Sequence, residues 1–157
     1  MQFLNALIEY LGTCFTVPEE NIISQYEEVS NEMYFIIQGD CVVNIRDHKG
    51  REHVALRLLT EGQHFGEIGI MYKCPRSCTV VSRNYNMMAR LSAERYRMLI
   101  SDSPMFKKYM TKHVFKYRDP NMIFIKKVIN QISYLREIDD KGCLYDLIFN
   151  MKRSSHG

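Results

Sequence analysis

The spacing of apolar residues changes twice along the chain. Phe3, Leu4, Leu7, Ile8 and Leu11 recur at the three-and-four-residue step of a helix, and Gly12 stands where a left-handed cap would end it. Over residues 14–91 the period shortens. Short β-prone runs at 14–17, 33–37, 41–45, 54–59, 78–81 and 87–91 are separated by turn residues at Pro18-Glu19, Gly39-Asp40, His48-Lys49-Gly50, Glu61-Gly62 and Arg83-Asn84. Strands this short and this regularly separated predict an antiparallel sandwich or roll. The helical period then returns. Ser92 is placed as an N-cap, with Tyr96, Leu99 and Ile100 on one face until Ser103-Pro104 stops that helix. A second helix is expected over 105–117 and, after Asp119-Pro120, a third carried by Met122, Ile125, Val128, Ile129, Ile132 and Leu135. A last helical segment is expected over 144–151.

With 157 residues there is room for about one domain, so a catalytic domain beside a complete binding domain is not expected. Hydrophobic residues make up 46% and charged residues 25%, which excludes disordered and coiled-coil compositions. No apolar run approaches the ~20 residues of a membrane span, and residues 1–15 lack a basic start and a cleavage site, so neither a span nor secretion is expected. The net charge of +3 is unevenly distributed. Residues 1–100 hold 10 Lys/Arg against 12 Asp/Glu and residues 101–157 hold 11 against 6, so the basic surface belongs to the C-terminal helices. A solvated helix face, an acidic partner or the acidic lipid of an inner membrane leaflet accounts for it, and nucleic acid is not expected. Five irregularly spaced cysteines, Cys14, Cys41, Cys74, Cys78 and Cys143, point to reduced thiols in the cytosol. Cys74 and Cys78 beside His64 lack a second ligand pair, so no metal is expected.

The chemistry is concentrated in residues 65–80, where a short helix and a tight turn fit between two strands. Gly66 at the helix start and Gly69 within it let backbone N–H groups approach a ligand closely and attract an anion. Arg76 carries a planar fork of donors that matches phosphate oxygens, whereas ionised Glu67 only accepts and so suits a sugar hydroxyl. Together they present complementary groups for a ribose phosphate. The other use of these residues is a surface salt bridge between Glu67 and Arg76, worth about 0–1 kcal/mol, with glycines that only shape a turn.

Order and spacing favour the first use. Phe65-Gly66-Glu67 followed by Arg76-Ser77-Cys78-Thr79-Val80 resembles the phosphate-binding cassette of the cyclic-nucleotide-binding domain family. The stretch Met33-Tyr34-Phe35-Ile36-Ile37-Gln38-Gly39 resembles the strand and turn before the cassette, and Leu59-Thr60-Glu61-Gly62-Gln63-His64 its lead-in. The resemblance implies an α+β fold, an antiparallel β-roll of the double-stranded jelly-roll type with flanking N- and C-terminal helices. It would cover residues 14–118, with residues 1–13 as the end of a helical linker and 119–157 as helices beyond the domain. The ligand would be cAMP or cGMP, held by Gly66, Glu67, Ile68, Gly69, Arg76, Ser77 and Cys78. A lid from the helix after Met105 would present Val114, Tyr117 and Arg118. Two departures stand out: Glu19, Tyr26 and Ser30 occupy turns where the family usually has glycine, and Ser77-Cys78 stands where many members have Ala or Thr followed by Ala.

The flanks bear on the parent protein. Phe3-Leu4-Asn5-Ala6-Leu7 with Tyr10-Leu11, and the stretch from Tyr117 through Lys127, resemble segments either side of the sensor in hyperpolarisation-activated and cyclic-nucleotide-gated cation channels, protist members included. That resemblance implies a cytoplasmic sensor attached to a tetrameric channel, with no catalysis and no cofactor beyond the nucleotide. The alternatives are an orphan pocket that serves as a docking module and a kinase-type regulatory receptor.

Overall fold

Every strand pair in the computed structural model is antiparallel. The structure describes residues 2–29, 31–46, 53–114 and 127–132. The chain divides into two compact units, Met1–Lys108 and Tyr109–Gly157. In the first, helix α1 (Gln2–Tyr10) leads into β1 (Gly12–Thr16), β2 (Asn21–Ile23), β3 (Glu32–Gln38), β4 (Cys41–Arg46), β5 (His53–Leu59) and β6 (His64–Phe65). Helix α2 (Glu67–Tyr72) follows, then β7 (Thr79–Ser82), β8 (Asn86–Ser92), α3 (Ala93–Asp102) and α4 (Pro104–Val114), which carries the chain into the second unit. Two four-stranded sheets result, ordered β1-β8-β3-β6 and β2-β7-β4-β5.

Alternation builds the core. Along β4 the buried residues are Cys41, Val43 and Ile45, with Val42 and Asn44 between them less covered, as a two-residue period requires. Cys41 and Val43 join Ile23, Leu59 and Val80 from the same sheet and Ile36, Phe65 and Met88 from the other in one cluster. Burial of each such side chain contributes roughly 1.5–3 kcal/mol. At one end the sheets are also joined by polar groups. Asn86 Nδ2 donates to Ser82 Oγ at 3.0 Å, to Thr16 Oγ1 at 3.3 Å and to the Asn84 carbonyl at 3.0 Å, while the Thr16 and Ser82 hydroxyls bond each other at 2.5 Å.

Four expected turns and the Ser92 cap are present. Ser92 Oγ accepts from Arg95 N, and the Ser103 N–H closes α3 on the Leu99 carbonyl. The Arg83-Asn84 turn is held by Asp40, whose carboxylate takes bonds from Arg83 Nη1 at 3.0 Å and Asn84 Nδ2 at 2.5 Å. The expected His48-Lys49-Gly50 turn lies outside the described residues, as does the helix expected over 144–151. Of the third expected helix, residues 127–131 are described and helical.

Gly12 is a correction. It has no positive φ and does not cap α1; it opens β1 opposite Arg90. A Cβ there would meet Arg90 Nε at 3.2 Å, so its small size serves the neighbouring side chain and not the helix end. Glu19 (φ 66°) and Tyr26 (φ 72°) do adopt the left-handed backbone that glycine takes most easily. Both turns therefore take a backbone conformation that glycine favours, without a glycine. Ser30 lies outside the described residues.

Within the second unit, the Tyr109 and His113 rings lie one helical turn apart with centroids 4.4 Å from each other, and His113 Nδ1 is 3.3 Å from the Tyr109 carbonyl.

Candidate functional site

Residues 65–80 form the expected strand, helix and turn. Phe65 anchors the segment in the core and stacks on Tyr34 with ring centroids 5.2 Å apart. Gly66 then takes φ 85° and α2 runs for six residues to Lys73, itself left-handed at φ 51°. Glycine at 66 is required twice over: by that φ, and because a Cβ would stand 3.0 Å from Arg76 Nη1 and 3.2 Å from the Glu32 carbonyl.

Arg76 is 5% exposed and Glu67 2%, burial unusual for charged side chains. Arg76 Nη1 donates to the Gly66 carbonyl at 2.8 Å and Nη2 to the Glu32 carbonyl at 2.7 Å. Its hydrogen bonds therefore go to main-chain oxygens, not to Glu67, and the simple salt-bridge reading falls. Its Nε is buried without a partner. An orphaned cationic donor in the interior is costly and needs an acceptor. Burial lowers the Arg76 pKa, while Tyr34, Glu27, Cys78 and Glu32 oppose the shift, so the guanidinium stays charged.

The arginine backbone is held as firmly. Arg76 N donates to the Glu27 carbonyl and Tyr26 N to the Arg76 carbonyl, both at 2.9 Å, so residues 24–29 form a strap across the cassette. Gln25 N extends the strap to Thr79 Oγ1 at 3.0 Å. Glu32 joins a further cluster: its carboxylate accepts from Tyr34 Oη at 2.9 Å and lies 3.6 Å from Arg90 Nη1. Burial, then the Glu32 hydrogen bond and charge, raise the Tyr34 pKa. Across the cassette, burial and then the charge of Glu67 raise Tyr96 of α3 to about 12.

Of the sequence-predicted residues, Gly66 and Arg76 meet through the bond from Arg76 Nη1 to the Gly66 carbonyl, and Glu67, the first residue of α2, is buried. Gly69 is buried within α2, and Ile68 and Ser77 are half-buried. Cys78, also half-buried, packs against the core cluster. The lid is a different case. Val114 is the last residue of α4 and its side chain lies outside the described set, as do Tyr117 and Arg118 altogether. Sequence reasoning missed the carbonyls of Glu32 and Gly66, the strap at Tyr26-Glu27, and Tyr96. Main-chain acceptors leave no mark in a sequence. Among the described residues no group of His, Cys, Asp or Glu could hold a metal ion, and Cys14, Cys41, Cys74 and Cys78 are not in disulfides.

Residues 15–103, more than half of the chain, match the model of the cyclic nucleotide-binding domain. The chain belongs to that family. The cAMP-activated global transcriptional regulator CRP of Haemophilus influenzae is 24% identical over 137 residues, 87% of this chain and 58% of the relative. Potassium channel KAT3 of Arabidopsis thaliana is 26% identical over 135 residues, 85% of this chain and 20% of the channel. The regulatory domain of Toxoplasma gondii PKA solved with cAMP superposes with a TM-score of 0.67 at 18% identity, covering 74% of this chain and 43% of that one. That likeness bears out the antiparallel roll with flanking helices. The chain thus spans under two thirds of each of these relatives.

Proposed function

We propose that this cyclic nucleotide-binding domain senses cAMP, with cGMP bound somewhat more weakly, and regulates the gating of a cation channel without chemical change to the ligand. The observation that carries nucleotide binding is Arg76, a buried guanidinium fixed through two carbonyls and left with one unpartnered donor beside Gly66. A cyclic phosphate seated there would accept from Nε, and Glu67 would accept from the ribose hydroxyl. Ser77 would add a hydroxyl that favours the guanine edge, and the segment from Met105 onward would close over the base. Association with a channel rests on the resemblance of the flanks and on the KAT3 similarity.

Calorimetric titration with cAMP, cGMP and 2′-deoxy-cAMP tests the pocket. Saturable binding with a preference for the ribose form is expected, and Glu67→Gln should lose most of that preference. Absence of binding by any of the three would leave an orphan pocket. Ligand-dependent slowing of amide exchange over residues 105–118 tests the lid, and nucleotide-dependent current from the full-length protein in a bilayer tests the channel.

A further inference from the structure

A cavity of about 230 Å³ lies between the α2 segment, α3 and residues 28–29. Gly69 and Ile70 of α2, with Lys73 and Cys74 just beyond its end, form one wall; Ala93 and Arg97, one turn apart on α3, form the second. Glu28 and Val29 of the strap form the third. Glu67, Arg76, Ser77 and Cys78 do not line it, and only Gly69 is shared with the nucleotide site proposed above.

Its chemistry is two-sided. Ile70 and Cys74 are each 7% exposed and, with buried Gly69 and Ala93, make an apolar floor, while Val29 beside the mouth is 60% exposed. The rim carries two cations, Lys73 and Arg97, against one carboxylate, Glu28. Among the described residues, neither cation has an ion-pair partner. An apolar floor under a rim of two cations and one carboxylate, net positive, complements a small organic anion with an apolar body. At about 30 Å³ per water, 230 Å³ holds about eight non-hydrogen atoms of ligand.

We propose that this cavity is a second ligand site, for a short aliphatic or aromatic monocarboxylate whose carboxylate bridges Lys73 and Arg97. Its walls are the elements that the cassette bonds tie together. The strap holds the Arg76 backbone through Tyr26 and Glu27, and α3 is joined to the same loop where Ala93 N donates to the Asn31 carbonyl at 2.6 Å. A ligand filling the space between them fixes α2 against α3 and pre-orders the cassette. By linkage it tightens nucleotide binding, and nucleotide tightens it by the same factor. This coupling rests on the nucleotide reading; the site itself does not.

The test is an amide chemical-shift titration of the whole 157-residue chain, without nucleotide, using hexanoate as the probe and hexanol, hexylamine and inorganic phosphate as controls. Hexanoate should saturate with a dissociation constant near the millimolar range, as about eight atoms allow, with shifts confined to residues 28–29, 69–74 and 93–97. Lys73→Ala with Arg97→Ala should weaken it at least about fivefold, and Val29→Trp should block it. Non-saturating or scattered shifts, equal binding of hexanol, or equal binding of phosphate would each overturn the proposal. With hexanoate present, cAMP affinity should rise about threefold or more; an unchanged value would overturn the coupling. Hexanoate binding by a chain that binds no nucleotide would sink the nucleotide reading and leave this site standing.

Discussion

Replacing Arg76 by alanine perturbs the fold and the proposed phosphate contact together, and the two effects separate in magnitude. The side chain donates to two main-chain oxygens, of Gly66 and Glu32. Each such charged hydrogen bond is worth roughly 1.5–3 kcal/mol, so about 3–6 kcal/mol of gross interaction is removed. Against this, alanine relieves the burial of a cation with an orphaned Nε, which offsets roughly 1–3 kcal/mol. The difference spans about 0–5 kcal/mol and centres on a net loss of about 2–3 kcal/mol. A domain stable by the usual ~5–15 kcal/mol survives that loss at room temperature. Removal of the phosphate contact costs the ligand a further ~1.5–3 kcal/mol, about tenfold or more in affinity. The assay pairs urea unfolding with calorimetry on the folded variant, and Arg76→Lys serves as the control that keeps the charge but not the fork. An unfolding midpoint equal to the parent's would refute the structural account of the two carbonyl bonds. Parent-like cAMP affinity in a folded Arg76→Ala chain would refute the phosphate assignment.

Glu19→Gly should stabilise the protein by about 0.5–1 kcal/mol, since the left-handed conformation at φ 66° strains glutamate more than glycine loses in chain entropy; a denaturant series reads the difference. Gly66→Ala should cost about 1–3 kcal/mol and weaken nucleotide binding, because the new Cβ meets both Arg76 Nη1 and the Glu32 carbonyl; a neutral result would show that the cassette relaxes freely. Burial pushes the Cys41 and Cys74 thiols up from 9.0 to about 11. The unfolded chain therefore loses these protons first, so their contribution is complete below pH 9 and is lost as pH rises to 11. Urea midpoints of the parent and Cys74→Ala, compared near pH 8 and about pH 11, should show the parent losing more.

What the sequence made legible depended on whether partners were near in the chain. The cassette was readable because Gly66, Glu67 and Arg76 lie within a dozen residues and their types carry the chemistry. The strands β3, β4, β5, β7 and β8 showed in their apolar runs and bounding turns. The three-residue β2 and two-residue β6 did not, since each is too short for an alternation of apolar positions and shows only in its pairing with β7 or β3. The strap was invisible for the same reason: it meets Arg76 through carbonyls and amides that every residue possesses. Gly12 misled because close packing and chain reversal both select for glycine.

Helix α2 is bracketed by left-handed residues, Gly66 before it and Lys73 after it. Neither end can add a turn without first reversing that backbone, so a ligand can displace this element but cannot lengthen it. Binding should therefore be nearly silent in far-ultraviolet circular dichroism of the cassette. With 10 tyrosines and no tryptophan in the chain, the movement would instead register in the near-ultraviolet bands of tyrosine, foremost Tyr34 stacked against Phe65. An optical reporter of occupancy is thus built into the fold, and it needs no added fluorophore.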